Sequence, residues 1–429
     1  MKRTHGGIIR IIWRLPLVLL AVFLQGTGRA QDINSWHASL SREGNDSRIL
    51  GRNLTVDIGD SIGKDFSPKI TLSAWNERAV ITVLLDRGGR SEPYVTAPII
   101  VSGKPGFMIR RDSLETHQFY IRPDSGLEWE IILEKPPDSN ILIFPIESKG
   151  LEFQYQGMLS GEEISMGVER SDSVIGSYAV YYSGEPGNHV TVKGSDTAYE
   201  NFSTGKAFHI YRPRARDSRG WTVWCGLSID SVFDIAIPAD FFANAEYPIT
   251  IDPTFGNSTV GASTAYLVSN GCQALSENIS YRHTASSGEI ITSYSIYCLT
   301  YTSPAYVALA AYSYVDGYPA DRLAMPTTLT VTNGSMQWNT SGTVSQGMTG
   351  GTTYVIAYGE VAPSSSVRCR FDSEANICSI HGNSTLPVTW VPYGYVSNRW
   401  SIYATYTAGA TGADNYRRRA IVSTEFPGE

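Results

Sequence analysis

The chain has 429 residues, 42% of them hydrophobic, and a formal net charge of −7. This length leaves room for two or three domains with sizeable cores. Because there is no basic excess, the sequence predicts no nucleic-acid partner. The 40 glycines, 25 tyrosines and 21 prolines favour many short strands joined by turns.

The first 30 residues have the pattern of a secretory signal peptide. Basic residues up to Arg14 precede an apolar run over 15–24, and the small residue Ala30 offers a cleavage site. The alternative is a membrane anchor, but the run is about half the ~20 residues that a spanning helix needs. We therefore predict cleavage after Ala30, no membrane span afterwards, and a secreted or cell-surface location. Residues 31–52 form a polar lead-in.

Strand patterns follow from about residue 53. The clearest is Leu127–Leu133, where large apolar residues alternate with Glu128 and Glu130. Short turns separate it from runs over 141–146 and 151–155, which predicts an antiparallel meander of three neighbouring strands. No alternation of strands with helices is found, so the expected class is all-β, with two β-sandwich or jelly-roll-like domains in tandem.

The stretch from Tyr247 to Gly256 is predicted to close the first domain. Apolar and polar residues alternate up to Ile251, and Pro253 then ends the strand because proline donates no ladder hydrogen bond. The predicted domains are therefore a mixed antiparallel β domain over 53–254 and a jelly-roll-like β-sandwich over 255–407. Residues 408–429 are predicted to be a flexible tail.

Part of the first domain resembles a segment of uncharacterised proteins of tailed phages and bacterial genomes. The segments that carry the resemblance are 128–131, 149–153, 174–181, 204–213 and 247–254. The resemblance implies a virion or cell-surface context and no known chemistry. A signal peptide departs from the phage pattern, because virion proteins assemble in the cytoplasm; this favours a bacterial exported protein or a domesticated gene.

The second domain resembles jelly-roll domains appended to many secreted bacterial proteins. An apolar strand at 306–312, a loop and strand at 316–323, Trp338 and a Gly-Thr-Thr-Tyr strand at 350–357 carry this resemblance. It implies surface binding or carbohydrate recognition. Within this half, Asn333-Gly334 predicts a type I′ hairpin between its flanking runs.

The cysteines fit an exported protein, because four of the five lie after residue 256. Three pairings of four thiols are conceivable. Closeness in sequence favours Cys369 with Cys378, and then Cys272 with Cys298. Cys225 is left over and is interpreted as a buried inert thiol, with a reactive nucleophile as the alternative.

No catalytic motif is found, so we predict no catalytic residue, no metal site and no cofactor. Glu128 and Glu130 are interpreted as a solvated strand face, and His209 as a solvated or hydrogen-bonded strand histidine. A general base is the alternative for His209.

Aromatic residues in the second half are the more informative signal, because a planar ring can stack on a sugar face. The predicted ligand-binding residues are Tyr318, Trp390, Tyr393 and Tyr395. The prediction is an exported non-enzymatic structural or binding protein of a cell or virion surface, with surface glycan or other coat proteins as partners; oligomerisation is left open. The alternative is a polysaccharide-degrading hydrolase with an accessory sandwich.

Overall fold

A computed structural model describes most of the chain beyond residue 38. The described residues are 39–43, 46–50, 55–58, 68–75, 77–86, 94–101, 104–111, 114–122, 126–193, 196–256, 260–267, 272–275, 282–362, 366–382 and 385–407. The predicted signal peptide and tail lie outside them. None of the helices described in these ranges is long and apolar enough to cross a membrane.

Short strands make up nearly all of the regular structure. The elements up to residue 165 are β1 (Ser39–Glu43), β2 (Asp46–Leu50), β3 (Thr55–Ile58), β4 (Lys69–Ala74), β5 (Ala79–Leu84), β6 (Tyr94–Val101), β7 (Lys104–Arg111), β8 (Glu115–Ile121), β9 (Leu127–Leu133), β10 (Ile141–Lys149), β11 (Leu151–Gln156) and α1 (Gly161–Ser165). Those up to residue 256 are β12 (Ser177–Tyr182), β13 (Gly187–Lys193), β14 (Asp196–Ser203), β15 (Lys206–Ile210), β16 (Arg214–Arg216), β17 (Thr222–Trp224), β18 (Gly226–Ile229), β19 (Val232–Ala236), α2 (Ala239–Asn244), β20 (Ile249–Ile251) and β21 (Thr254–Gly256).

The second half contains only strands among its described elements. They are β22 (Ser263–Tyr266), β23 (Cys272–Leu275), β24 (His283–Thr284), β25 (Ile290–Thr300), β26 (Ala305–Val315), β27 (Tyr318–Arg322), β28 (Thr327–Val331), β29 (Gln337–Thr340), β30 (Gln346–Gly347), β31 (Thr353–Ala362), β32 (Val367–His381), β33 (Gly394–Trp400) and β34 (Ile402–Thr407). The predicted all-β, sandwich-like fold is confirmed.

The described strands form three sheets. The first has the order β1-β2-β3-β4-β5-β10-β19-β18. The second has the order β11-β12-β15-β21-β9-β20-β16-β17, with β8, β7 and β6 added in turn beyond β9. The third contains β13, β14 and the strands from β22 onward. The predicted boundary at 254–255 stays a prediction.

The first two sheets enclose one hydrophobic core. The alternation predicted for β9 is confirmed, because Leu127, Trp129, Ile131 and Leu133 are all buried. They pack with apolar residues of the first sheet such as Leu142, Phe144 and Phe233. Burying apolar area in this way stabilises the fold by about 25 cal/mol per Å².

The predicted meander of β9, β10 and β11 is wrong. β10 pairs with β5 and β19 in the first sheet, whereas β9 and β11 belong to the second. The chain therefore crosses the core at the turn after Leu133 and returns after Lys149. Short turns allow neighbouring strands to pair, but β10 buries Leu142 and Phe144 by facing β9 across the core.

The two short helices follow the local sequence. α1 begins after Ser160, whose hydroxyl accepts from the Glu163 amide while the Glu163 carboxylate accepts from the Ser160 amide. This reciprocal capping box satisfies two amides that a helix N-terminus leaves unpaired. α2 follows Pro238 and buries Phe241.

The third sheet includes two strands from before residue 256. β13 and β14 form an antiparallel hairpin, and residues 188–190 of β13 pair in parallel with residues 405–407 of β34. The other pairings among the described strands are antiparallel. The hairpin thus attaches the first half of the chain to the last strand of the second half.

A buried polar network also joins the two halves. Asp372 of β32 accepts hydrogen bonds from the Lys206 ammonium (2.7 Å), the Tyr181 hydroxyl (2.6 Å) and the Ala262 amide (2.8 Å). The guanidinium of Arg399 lies over the Tyr181 ring. Lys206 and Asp372 have no exposed side-chain area. Their charges are therefore neutralised inside the protein rather than by water.

The predicted type I′ hairpin at Asn333-Gly334 is wrong. β28 pairs with β26 and β29 pairs with β25, so the two arms do not pair with each other. A type I′ turn needs positive φ at both central residues, and neither Asn333 nor Gly334 has it. The side-chain amide of Asn333 instead donates to the carbonyl oxygens of Cys298 and Ser335.

The strand register does not bring the predicted cysteine pairs together. Cys378 is opposite Val396 of β33, and Phe371 is opposite Trp400, four positions further along β33. Cys369 lies two residues beyond Phe371, so the two cysteines are separated by about six strand positions, or about 20 Å. A disulfide needs Cα atoms within about 7 Å. Cys272 is opposite His381, the last residue of β32, whereas Cys298 is opposite Cys369 near the start of β32. Cys225, Cys298, Cys369 and Cys378 are free thiols.

The register brings Cys298 and Cys369 together instead. They are directly opposite on β25 and β32, and both are fully buried. Opposed Cα atoms of antiparallel strands lie about 4.5–5.5 Å apart, which suits a disulfide. We expect refolding with glutathione disulfide to link them, as two thiols are oxidised and glutathione disulfide is reduced to two glutathiones.

Peptide mapping of the refolded protein, alkylated in denaturant without reduction, would check this expectation. Cys298 and Cys369 should appear in one linked peptide pair, while Cys378 and Cys225 carry the alkylating label. Cys298→Ser is the control and should leave Cys369 labelled. A Cys369–Cys378 link, or label on all four thiols after complete refolding, would contradict the expected pairing.

Candidate functional site

Trp390 was predicted to bind a ligand, but the structure buries it. It is only 4% exposed, and its ring packs edge-on against Tyr312 at a centroid distance of 5.1 Å. Its indole nitrogen donates to the Ser379 hydroxyl. Trp390 therefore anchors its segment to the sheet, because burying a large ring with its polar group satisfied gives a stable contact.

The three predicted tyrosines remain at the surface. Tyr393 is 83% exposed, Tyr318 is 46% exposed and Tyr395 is 38% exposed. Val388 and Val391, which flank Trp390, are also exposed. We call residues 388–395 the exposed segment. Contiguous apolar side chains at a surface are typical of binding sites.

Hydrogen bonds hold the exposed segment beside β27. The Arg322 amide donates to the Val388 carbonyl, and the Trp390 amide donates to the Ala320 carbonyl, each at 2.8 Å. The Tyr393 amide donates to the Ile380 carbonyl of β32. The exposed segment is therefore fixed between β27 and β32, which brings its outward side chains near β27.

A second polar cluster was not predicted from the sequence. Glu185 lies in the turn before β13, His189 on β13, His283 on β24, and Glu289 immediately before β25. His283 Nδ1 is 2.8 Å from a Glu185 oxygen, and His283 Nε2 is 2.9 Å from a Glu289 oxygen. We call these four residues the histidine cluster.

Both rings of the histidine cluster are held in place. The buried Tyr406 ring stacks on His283 at 4.1 Å and on His189 at 5.2 Å between centroids. His189 Nε2 donates to the Pro186 carbonyl at 3.1 Å. Glu289 also accepts from the Ser286 amide, and Glu185 from the Thr284 amide. The backbone therefore positions both carboxylates.

The charges in the histidine cluster favour a protonated His283. Burial alone would lower the pKa of His283, but hydrogen bonds to Glu185 and Glu289 outweigh it and raise the pKa to about 9. Burial, followed by the charge of His283, lowers the pKa of His189. For both glutamates burial opposes ionisation, but His283 outweighs it and lowers their pKa. In this state His283 is a cation between two anions.

The other titratable residues discussed from the sequence, Glu128, Glu130 and Cys225, are buried or hydrogen-bonded within the fold. Glu128 is buried, which is contrary to the predicted solvated face, and accepts from Arg122 and Thr254. Burial raises its pKa. Glu130 accepts from the Tyr120 hydroxyl. Cys225 is fully buried, and burial raises its pKa to about 12, which suits the predicted inert thiol.

His209 is fully buried rather than solvated, because every residue of β15 is buried. Its Nε2 lies 2.7 Å from the Ser177 hydroxyl, which donates to the Val174 carbonyl. Ser177 can therefore only accept, so His209 Nε2 carries the proton. Burial, followed by the charge of Lys206, lowers the pKa of His209 to about 3.

This pKa predicts a loss of stability in acid. The unfolded chain protonates His209 near pH 6.5, but the folded protein does so only near pH 3. Stability therefore falls as the pH drops from 6.5 to 3, by about 1.4 kcal/mol per pH unit. Between pH 7 and pH 5, wild type should lose roughly 2 kcal/mol more than His209→Gln in urea unfolding. Parallel pH profiles for the two proteins would contradict this prediction.

The fold defines the molecule as an all-β, sandwich-like protein, and comparisons with known proteins add no family to this class. No family model matches the chain, and no curated protein matches it. A weak structural similarity exists to the GH31 alpha-xylosidase of Xanthomonas citri, with 9% identity and a TM-score of 0.11. The alignment covers 87% of this chain and 33% of that enzyme, so the chain spans about a third of its length. A similarity this weak carries no argument about function.

Proposed function

We propose that this protein is an exported, non-enzymatic binding protein of a cell or virion surface that binds glycan through the exposed segment and Tyr318. The observation that carries the proposal is the exposure of Tyr393, which is 83% accessible although its backbone is fixed to β32. A ring on a fixed backbone loses less conformational entropy on binding than a ring on a free loop, and its face can stack on a sugar.

The surroundings of Tyr393 support this proposal. A Cβ built on Gly382 would lie 3.8 Å from the Tyr393 ring, so the ring sits over the end of β32. The exposed segment also carries polar groups suited to sugar hydroxyls, since the Thr389 hydroxyl donates to an Asp321 carboxylate oxygen at 2.8 Å. Apolar rings beside polar groups are the usual composition of small-ligand sites.

A glycan array with the full chain tests the proposal. Wild type should bind at least one class of glycan, and Tyr393→Ala should weaken that binding about tenfold, the effect of losing roughly 1.4 kcal/mol. Tyr199→Ala is the matched control, because Tyr199 is 72% exposed on β14 and should bind like wild type. An array without signal, or equal affinity for Tyr393→Ala and wild type, would refute the proposal.

A second measurement on the same protein distinguishes a binding protein from the alternative, a hydrolase. A hydrolase would release new reducing ends from the polysaccharides that it binds, whereas a binding protein leaves them intact. Among the described carboxylates, Glu128 and Glu130 are occupied by Arg122 and Tyr120. We therefore expect binding without release of reducing sugar, and release at a rate above that of a buffer control would favour the hydrolase.

A further inference from the structure

We propose that Glu185, His189 and His283 bind one divalent transition-metal cation of the Zn²⁺ type. Each offers one ligand atom, and the three atoms lie within 4.8 Å of one another. Zinc takes imidazole nitrogen at about 2.0–2.1 Å and carboxylate oxygen at about 2.0–2.2 Å, which separates neighbouring ligand atoms by about 3.4 Å. Side-chain shifts of about 1 Å therefore complete the coordination.

The hydrogen bonds of the two histidines match those of metal ligands. A metal-bound histidine almost always donates its other ring N–H to a carboxylate or a carbonyl, which orients the ring. His283 has Glu289 at Nε2, and His189 has the Pro186 carbonyl at Nε2. Nδ1 is then the coordinating atom of both rings. At His283 the metal replaces the proton now shared with Glu185 and releases it to solvent.

The type of ligand selects the type of metal. Two imidazoles and one carboxylate suit Zn²⁺, Ni²⁺ or Cu²⁺, whereas Mg²⁺ and Ca²⁺ prefer oxygen ligands alone. Three protein ligands leave a fourth position for water. The side chain of Glu185 is 45% exposed while that of His283 is 4% exposed, so solvent reaches the cluster from the Glu185 side.

The bound metal would connect segments that are distant in sequence. Glu185 and His283 are 98 residues apart, and His189 belongs to the β13–β14 hairpin that pairs with β34. Metal binding is therefore expected to hold this hairpin against the third sheet and to raise the Tm, because a ligand that binds only the folded state stabilises it.

Calorimetric titration of the metal-stripped full chain with Zn²⁺ tests this proposal. Wild type should bind one equivalent, and Co²⁺ in its place should give the visible absorption of a site with nitrogen and oxygen ligands. His189→Phe keeps a ring to stack on Tyr406 but removes the ligand, and should weaken binding by at least 100-fold. Glu185→Gln should also weaken binding by at least tenfold, and its exposed position lets it fold if His189→Phe does not.

The matched control is Glu246→Gln, which alters a glutamate with 62% side-chain exposure outside the cluster and should bind Zn²⁺ like wild type. Absence of saturable binding by wild type would overturn the proposal. Saturable binding that neither His189→Phe nor Glu185→Gln weakens would also overturn it, because the metal would then lie elsewhere. Glycan binding through Tyr393 is measured separately, so either proposal can fail alone.

Discussion

Replacing Asp372 with alanine should lower the free energy of unfolding by roughly 3 to 5 kcal/mol, because it leaves the Lys206 ammonium buried without a counter-charge. Asp372 and Lys206 are 2.7 Å apart and have no exposed side-chain area. Burial opposes the ionisation of Asp372, but the charge of Lys206 outweighs it and lowers the pKa of the carboxyl. The Tyr181 hydroxyl and the Ala262 amide would lose their acceptor as well.

A double variant separates the cost of an unpaired charge from the value of the pair. Lys206→Met combined with Asp372→Leu removes both charges, and such replacements of buried pairs are often neutral or stabilising by about 1–4 kcal/mol. The double variant should therefore be more stable than Asp372→Ala. Urea unfolding followed by circular dichroism measures both.

The control for this prediction is Asp230→Ala, because Asp230 is exposed and should change stability by less than about 0.5 kcal/mol. If Asp372→Ala is as stable as Asp230→Ala, Lys206 is not held in a charged, solvent-excluded state. Because Lys206 and Asp372 lie on either side of residue 256, a measured loss would also show that the two halves stabilise each other.

Replacing Trp129 with alanine should cost about 3–5 kcal/mol of unfolding free energy by opening a cavity in the first core. Trp129 is fully buried, and its ring packs against Phe119, Phe144 and Phe233. The centroid distances are 6.0, 5.1 and 5.8 Å, respectively. Its indole nitrogen also donates to His117 Nδ1 at 3.1 Å. The variant therefore loses both packing and a hydrogen bond.

Trp129→Phe distinguishes these two contributions. It keeps a ring in the core but leaves His117 Nδ1 without its donor, which should cost about 1–3 kcal/mol. His117 Nε2 would still contact Glu115 at 2.9 Å. Thermal and urea unfolding should therefore rank the proteins as wild type, Trp129→Phe and Trp129→Ala, in order of falling stability.

Trp221→Ala is the matched tryptophan control. Trp221 is 40% exposed, and its ring packs against Phe241 at a centroid distance of 4.8 Å. Because much of its side chain stays in water, its loss should cost about 1 kcal/mol. Equal losses for Trp129→Ala and Trp221→Ala would contradict the position assigned to Trp129 at the centre of the core.

Part of the candidate binding surface could be predicted from the sequence. Tyr318, Tyr393 and Tyr395 stand beside glycine and proline in loops or at strand ends, and all three are exposed. Trp390 has the same kind of neighbours but is buried against Tyr312 and Ser379. Local composition cannot separate these cases, because the burial of Trp390 depends on Tyr312, about 80 residues earlier in the chain, and on Ser379 of β32.

The amino-acid sequence by itself determined the class of fold and the local elements. The two-residue period of β9 identified its buried face, and Pro253 identified where the strand ending at Ile251 stops. These features depend on interactions within a few residues, so they can be read without knowing the rest of the chain.

Only the tertiary structure decided which strands pair and which polar residues meet. Alternation shows that one face of β10 is buried, but it does not show that β10 pairs with β5 and β19 rather than β9. The Cys298–Cys369 register, the Lys206–Asp372 pair and the histidine cluster join segments far apart in sequence. Their contacts arise from the packing of sheets, which no local pattern encodes.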